Sequence, residues 1–289
     1  MVTKVKTGIV FEGGAFRTIF SCGVMDALVE NDIMPDYMIG VSAGAAYGVS
    51  MASKQPRRNL DVLMKYRNDK RYLGLSNMID KDNKSIYGLE FSYETIPNEL
   101  NLFDYDAFKQ YKGDFYCVVT NLLTGQPEYM KYTGDDRTNT VLKATCALPM
   151  LFPPIIINDV PYMDGGLSDS IPYLKAIEDG CDRIIVVLTR QSGYTKTTSR
   201  STKAIAYSYR NQYPKLTETM LTRASRYNES LKGLDQYVKE GRIITIQPTT
   251  SKGFSHLEKD KNKILSMYND GYNQCYELLD TIKEFYEIK

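Results

Sequence analysis

A serine in a glycine-flanked turn is the first residue of this chain whose setting suggests chemistry. Residues 37–44 read YMIGVSAG, an apolar run that ends in Gly-x-Ser-x-Gly and continues into small residues typical of a helix. The pattern predicts a strand, a sharp turn and a helix, in which Gly40 and Gly44 leave room for the crossing backbones. The Ser42 hydroxyl would lie at a helix N-terminus, which favours developing negative charge. Ser42 is therefore a candidate nucleophile; an ordinary serine in a tight turn is the alternative.

A glycine-rich turn near the N-terminus could bind an oxyanion. A predicted strand at 5–11 runs into Gly13, Gly14, Ala15 and Arg17, and a helical pattern follows. The absence of both Gly-x-Gly-x-x-Gly and Gly-x-x-x-x-Gly-Lys-Ser/Thr argues against a nucleotide-phosphate loop. An oxyanion hole made of the three backbone N–H groups and a plain structural turn both stay open. Arg17 could orient the loop, attract a phosphate-bearing substrate or pair with a carboxylate.

Asp164 is the best candidate for a base. The single histidine, His256, lies in a polar connector before the last predicted helix, so we expect it to be incidental. Asp164 ends a predicted strand, and Gly165 and Gly166 let the backbone turn tightly beside another loop. An aspartate with a pKa near ~3.9 is a weak base, but burial would raise that pKa. Asp-Gly-Gly alone is typical of a β-turn, and Asp169 is a rival base without this context.

Composition limits the class of protein. The 289 residues are 43% hydrophobic and 25% charged, which is typical of globular proteins. Basic and acidic residues number 36 and 35, so the net charge indicates no nucleic-acid partner. Five scattered cysteines without Cys-x-x-Cys fit reduced thiols in a cytosol, and we expect no metal or cofactor. Without a signal-peptide pattern or a spanning run of about 18 apolar residues, we expect a cytoplasmic protein, at most peripheral to the membrane. The sequence does not indicate an oligomeric state.

Strands alternate with helices along the chain, which predicts a mostly parallel sheet with helices on both faces. The predicted strands cover 5–11, 35–41, 114–121, 127–132, the stretch from Val160 to Asp164, 183–188 and 242–247. We interpret the whole of 1–289 as one α/β domain. Its irregular stretch at about 74–109 predicts a covering insertion with short helices. A helical C-terminal part is expected at about 200–289 and includes a long helix at 257–286.

The segment 190–232 is rich in positive charge. It contains nine basic residues and five tyrosines against two acids, Glu218 and Glu229. One interpretation is a solvated helical face. The other is a surface that makes transient contact with anionic lipid head groups, with tyrosines at the interface. RNA binding would use similar chemistry, but no RNA-binding motif accompanies the segment.

Three motifs stand in order along the chain: Gly-Gly-Ala-x-Arg, Gly-x-Ser-x-Gly and Asp-Gly-Gly. Together they are much more specific than apart, and the combination resembles the patatin-like phospholipase family over roughly residues 5–190. The resemblance implies a three-layer α/β/α fold and a Ser-Asp dyad in place of a triad. Such a dyad would make the single histidine understandable. Carried onto this chain, the family roles are Ser42 as nucleophile, Asp164 as base, Gly13, Gly14 and Ala15 as the oxyanion loop, and Arg17 as its basic residue.

Two positions depart from the family pattern. Its usual third glycine is Ala15 here, and the glycine that usually follows the arginine is Thr18. Alanine still offers its N–H but would be strained wherever the loop needs a positive φ. Neither change removes a catalytic group, although both leave the rate open.

The sequence therefore predicts a serine lipid acyl hydrolase that cleaves carboxylic esters of phospholipids or related lipids. One alternative is a hydrolase of soluble small esters or thioesters. The other is a catalytically weak module that binds lipid or anionic surfaces. Ser42, Asp164 and the glycine-rich loop together favour the enzyme over the module.

Overall fold

A computed structural model describes residues 5–81 and 83–288 of the chain. Within these residues, eight strands form one sheet. The strands are β1 (Thr7–Phe11), β2 (Tyr37–Val41), β3 (Asp114–Asn121), β4 (Pro127–Lys131), β5 (Ile155–Ile157), β6 (Val160–Asp164), β7 (Arg183–Val187) and β8 (Ile243–Ile246). The order is β5-β6-β3-β2-β1-β7-β8, with β4 paired to β3. β1, β2, β3, β7 and β8 are mutually parallel, whereas β4 and β6 run antiparallel to β3.

Helices cover both faces of this sheet. They are α1 (Ile19–Glu30), α2 (Ala43–Ala52), α3 (Arg58–Tyr66), α4 (Ser76–Ile79), α5 (Tyr105–Gln110), α6 (Thr140–Thr145), α7 (Tyr173–Glu178), α8 (Arg200–Ser208), α9 (Pro214–Lys239), α10 (Lys261–Glu277) and α11 (Leu279–Phe285). A 3₁₀ turn at Ala15–Thr18, another at Gly165–Leu167 and a π-helical segment at Phe91–Leu100 complete the list. No helix in the described part of the chain is long and apolar enough to cross a membrane.

Alternate residues of the central strands face opposite layers, as the two-residue period of a strand requires. Ile9 and Phe11 of β1 pack in a core cluster with side chains of α1, α2 and α10. Val10 between them packs in a second cluster with Tyr173 of α7 and Leu234 of α9. The predicted fold, a mostly parallel sheet between two helical layers, is confirmed.

The C-terminal helix and one strand differ from the prediction. The predicted helix at 257–286 begins at Lys261, because the Asp260 carboxylate caps the N–H groups of Asn262 and Lys263. It is also divided at Leu278 into α10 and α11. Strand β5 was not predicted. Its hairpin turn uses Asn158 and Asp159, both with positive φ, which is the pattern of a two-residue hairpin.

Candidate active site

Ser42 lies at a strained turn between β2 and α2. Its φ of 55° and ψ of −129° cost a non-glycine residue about 1–3 kcal/mol. The turn is tight on both sides. A Cβ on Gly40 would lie 2.5 Å from the backbone nitrogen of Ala45, and one on Gly44 would lie 2.5 Å from the carbonyl oxygen of Phe11. The glycines of the motif are therefore required by close backbone approach.

The register of β3 brings Asp164 to Ser42. On one side of β3, Val41 at the end of β2 pairs with Val118. The next residue of β3, Val119, pairs with Asp164 at the end of β6. Both pairings lie on the same side of β3, because β4 pairs with Val118 and Val119 from the other side. The C-terminal ends of β2 and β6 thus meet beside β3. Asp164 is the last residue of β6 and Ser42 directly follows β2, so both side chains lie where the two strands meet.

The Asp164 carboxyl is buried, and within the described residues only one of its two oxygens accepts a hydrogen bond. Oδ1 accepts a hydrogen bond from the Gly166 N–H at 2.8 Å, whereas Oδ2 has no hydrogen-bond partner in the described residues. Burial raises the pKa of Asp164, opposed by the Ser42 hydroxyl, the Arg223 charge and the Gly166 N–H. Ser42 and Asp164 line the same cavity.

The glycine-rich loop lies directly against the serine. A Cβ on Gly13 would fall 2.8 Å from the Ser42 Cβ. In the part of the chain that the structure describes, the N–H groups of Gly13, Gly14 and Ala15 donate to no other protein group. The loop is held from behind, since the Phe16 N–H donates to the His256 carbonyl at 3.1 Å. Three N–H groups next to a serine are what an oxyanion hole needs.

Ala15 adopts a positive φ, the backbone conformation in which alanine was expected to be strained. Its φ is 49°, in the left-handed region that favours glycine. The loop therefore keeps the glycine-type geometry in spite of the substitution. Thr18 is fully buried, and its hydroxyl has no partner in the described residues.

Comparison with known proteins identifies a family for the part of the chain that contains Ser42 and Asp164. A model of the family described as patatin-like phospholipase matches residues 9–177, more than half of the chain. The chain belongs to this family. A second model, described as a domain of unknown function (DUF6363), matches residues 213–287.

Curated relatives of this patatin-like chain are distant. The Uncharacterized protein YjjU of Escherichia coli is 27% identical over 64% of the chain and 52% of its own length. Lysophospholipase nte1 of Aspergillus terreus is 29% identical over 63% of the chain and 12% of its own length. The chain thus spans about half of the first relative and a small part of the second. VipD from Legionella pneumophila has a solved structure at 15% identity with a TM-score of 0.45, covering 96% of this chain and 67% of that one.

Two cavities of the patatin-like chain meet at Ser42. One, of about 130 Å³, is largely apolar, with aromatic walls that include Phe16, Tyr93 and Phe103. The other, of about 240 Å³, is the more polar of the two and is called the polar cavity below; its wall contains the glycine-rich loop, Asp164 and several basic side chains. Tyr93 and Phe103 belong to the stretch 74–109, so that stretch covers the apolar cavity. The single-domain organisation itself stays a prediction.

Of the other predicted residues, Arg17 and His256 line the polar cavity beside Ser42, whereas Asp169 does not. Arg17 is buried in the wall of the polar cavity. His256 lines the same cavity, and burial together with the neighbouring cations lowers the pKa of its ring, so it is neutral at pH 7. Asp169 is engaged elsewhere, because its oxygens accept from the Tyr129 hydroxyl at 3.0 Å and the Ile171 N–H at 3.2 Å.

Sequence reasoning missed Thr145 and the inward direction of several cations. The Thr145 hydroxyl accepts from the Ser42 N–H at 2.9 Å and donates to the Val118 carbonyl at 2.5 Å. Arg190, Lys196 and Arg223 belong to the basic segment that was interpreted as a surface, yet they line the polar cavity. Only their charge was visible in the sequence, with no motif to indicate the direction of their side chains.

Proposed function

We propose that this chain is a lipid acyl hydrolase in which Ser42 and Asp164 form the catalytic dyad. The observation that carries the proposal is the register of β3, which sets a strained serine beside a buried carboxylate whose Oδ2 accepts no hydrogen bond within the described residues. The pairing of an apolar cavity with a polar one at Ser42 supports a lipid ester as the substrate.

The proposed reaction is acyl transfer to water. Asp164 accepts the Ser42 proton as Oγ attacks the ester carbonyl carbon, and the N–H groups of Gly13, Gly14 and Ala15 stabilise the oxyanion. The ester C–O bond then breaks, and the leaving alcohol takes the proton from Asp164. A water molecule next attacks the acyl-enzyme, gives its proton to Asp164, and the acid leaves as Ser42 recovers its proton.

Burial of the base supports this assignment. A carboxylate with a raised pKa is a better proton acceptor than one in water. Since Asp164 must be ionised to act, activity is expected to fall as the pH falls through its raised pKa.

The apolar cavity would hold the acyl chain of the substrate. The strain at Ala15 is expected to affect the rate, because one misplaced oxyanion donor costs roughly 10²–10³ in kcat.

We also propose transient membrane contact through α8 and its surroundings. Lys203 and Arg210 are exposed there, as are large parts of Tyr207 and Met150. Cations beside exposed apolar side chains suit a lipid surface. The inward-facing cations of the segment do not contribute to this surface.

The test is covalent labelling with a lipid-like fluorophosphonate followed by intact-mass analysis. Wild type should gain one adduct that maps to Ser42, whereas Ser42→Ala and Asp164→Asn should gain none. Hydrolysis of a short-chain p-nitrophenyl ester should fall by about 10³ or more in both variants. Asp169→Asn is the matched control, and it should keep both labelling and turnover.

A folded wild-type protein that stays unlabelled with and without detergent would overturn the proposal. Full activity of Asp164→Asn would overturn the dyad while leaving Ser42 as nucleophile.

A further inference from the structure

The polar cavity beside Ser42 has an excess of positive charge. Its wall contains four basic side chains, which are Arg17, Arg190, Lys196 and Arg223. Burial and the neighbouring Arg223 lower the pKa of Lys196 to about 7, so the three arginines supply most of the positive charge at neutral pH. The carboxylates in the same wall are Glu12 and Asp164. Cations gathered in a partly buried cavity repel one another, so they need an anionic partner.

In the described part of the chain, none of the four basic side chains is paired with a carboxylate. No ion pair within the described ranges 5–81 and 83–288 includes any of them. Arg17 is only 5% exposed, and its Nε and Nη1 have no hydrogen-bond partner in these ranges. An unpartnered buried guanidinium in a cavity wall is costly, because it has lost its hydration without replacement. Arg17 therefore adds a buried positive charge to the wall of the cavity.

Two of the other cations lie over aromatic rings. The Arg190 guanidinium is 4.4 Å from the ring centre of Tyr194, and the Lys196 ammonium is 3.8 Å from that of Tyr227. Arg223 donates from Nε to the Gly166 carbonyl at 2.5 Å, which leaves its terminal nitrogens for another acceptor. The rings hold the cations in place without neutralising them.

The nearby carboxylate of Glu12 is already satisfied by neutral donors. Its Oε2 accepts from the Thr189 N–H at 2.6 Å and from the Thr189 hydroxyl at 3.0 Å, and its Oε1 accepts from the Tyr227 hydroxyl at 2.9 Å. The other carboxylate, Asp164, faces Ser42. Within the described residues neither carboxylate forms an ion pair with the four basic side chains, although the charges of Arg223 and Lys196 act on Asp164.

We propose that this cavity binds the phosphate of the substrate head group and selects lipids whose head group has a net negative charge. The inference rests on the proposed function and adds the substrate class. Arginine guanidinium groups suit phosphate oxygens, to which they can donate two parallel hydrogen bonds. The phosphate would lie in the polar cavity. The acyl chain would extend from the ester carbonyl at Ser42 into the apolar cavity.

A zwitterionic choline head group fits this cavity poorly. Its quaternary ammonium would need an aromatic face or a free carboxylate. Arg190 and Lys196 already cover the faces of Tyr194 and Tyr227, and Glu12 is engaged by neutral donors. Repulsion from the cations would therefore oppose binding of the ammonium.

The test compares lysophosphatidylglycerol with lysophosphatidylcholine of the same acyl chain in the same neutral-detergent micelles. Both lipids carry a phosphodiester, but only lysophosphatidylcholine also carries a cation that compensates the phosphate charge. We expect kcat/KM of wild type to favour lysophosphatidylglycerol by about tenfold or more, the effect of one charge-assisted contact. Arg190→Gln and Lys196→Gln should each reduce that ratio severalfold, and the double variant should bring it near one. Lys232→Gln, an exposed lysine of the same segment that lies outside α8, is the matched control and should keep the ratio.

Binding of the two lipids to Ser42→Ala gives a readout that does not depend on turnover. It should show the same preference, even if wild type hydrolyses neither lipid. Failure of the proposed function appears as absent fluorophosphonate labelling, whereas failure of the inference appears as labelled wild type with no head-group preference. Equal binding of both lipids by Ser42→Ala would also overturn the inference. Competition by inorganic phosphate without a lipid preference would make the cavity a site for free phosphate and overturn it too.

Discussion

At the scale of single residues, Thr145 connects the candidate nucleophile to the strand that positions the base. Its hydroxyl accepts from the Ser42 N–H and donates to the carbonyl of Val118, the residue before the one that pairs with Asp164. Thr145 is fully buried, so water cannot replace these bonds. We infer that it is a positioning residue that keeps the strained turn of Ser42 in register with β3.

Replacing Thr145 by the isosteric valine should impair both stability and turnover. The change leaves two backbone groups without partners in the core, which costs about 1–3 kcal/mol of unfolding free energy. A small displacement of the nucleophile is expected to lower kcat by about 10–100-fold with little change in KM. Denaturant unfolding and ester-hydrolysis kinetics would measure the two effects.

Thr217→Val separates the positioning role from a general loss of stability. Thr217 is also buried, and its hydroxyl donates to the Ala206 carbonyl at 2.9 Å, far along the chain from Ser42. It should lose stability without losing kcat. If Thr145→Val were to lose stability but keep kcat, Thr145 would be structural only.

At the scale of elements, α1 and α10 pack at a glycine contact that covers one face of the sheet. A Cβ on Gly23 of α1 would lie 2.1 Å from the Tyr268 carbonyl oxygen of α10. In return, a Cβ on Gly271 of α10 would lie 2.0 Å from the Phe20 carbonyl oxygen of α1. The two backbones are therefore in direct contact, and the Tyr268 hydroxyl donates across the contact to Asp26 at 2.7 Å.

Gly271→Ala should lower stability although alanine favours helices. The overlap with a backbone oxygen forces the helices apart, and overpacking of this kind costs about 1–3 kcal/mol. The gain in helix propensity returns only about 1 kcal/mol. Thermal unfolding should show a lower midpoint for Gly271→Ala, while Ser266→Ala, at an exposed position of the same helix, should leave the midpoint unchanged or slightly raised. An unchanged midpoint for Gly271→Ala would show that the helices can separate without cost.

At the scale of the whole molecule, the two matched sequence regions share one sheet and one core. Strand β7 lies between the matched regions 9–177 and 213–287, and it pairs with β1 of the first and β8 of the second. The Tyr227 hydroxyl donates to Glu12, and the Tyr286 hydroxyl donates to the Gly8 carbonyl at 2.5 Å. We propose that the boundary between the matched regions is not a boundary between folding units.

The whole chain should therefore unfold in one cooperative transition. Calorimetry should give equal van't Hoff and calorimetric enthalpies, and circular dichroism and tyrosine fluorescence should report the same midpoint. Gly271→Ala, which changes the second region, should move the entire transition rather than part of it. Two separate transitions would show that the C-terminal region folds on its own.

Local patterns explain what the sequence could predict. The glycines around Ser42 and the β-branched run at 183–188 determine a turn and a strand by short-range sterics, so both were visible without a structure. Two missed features also have local signals. The Asn158-Asp159 pair indicates a hairpin turn, and Asp260 indicates a helix start.

The sequence by itself determined the fold class and singled out Ser42, Asp164 and the glycine-rich loop as candidates, because motifs and periodicity act between neighbours in the chain. Only the tertiary structure decided that β2 and β6 approach each other end to end along β3, that Thr145 holds the turn, and that the cations point inwards. These features depend on strand register and on packing between distant segments. A local pattern contains no information about either, so the positive charge of 190–232 could not be divided into cavity and surface until the chain was folded.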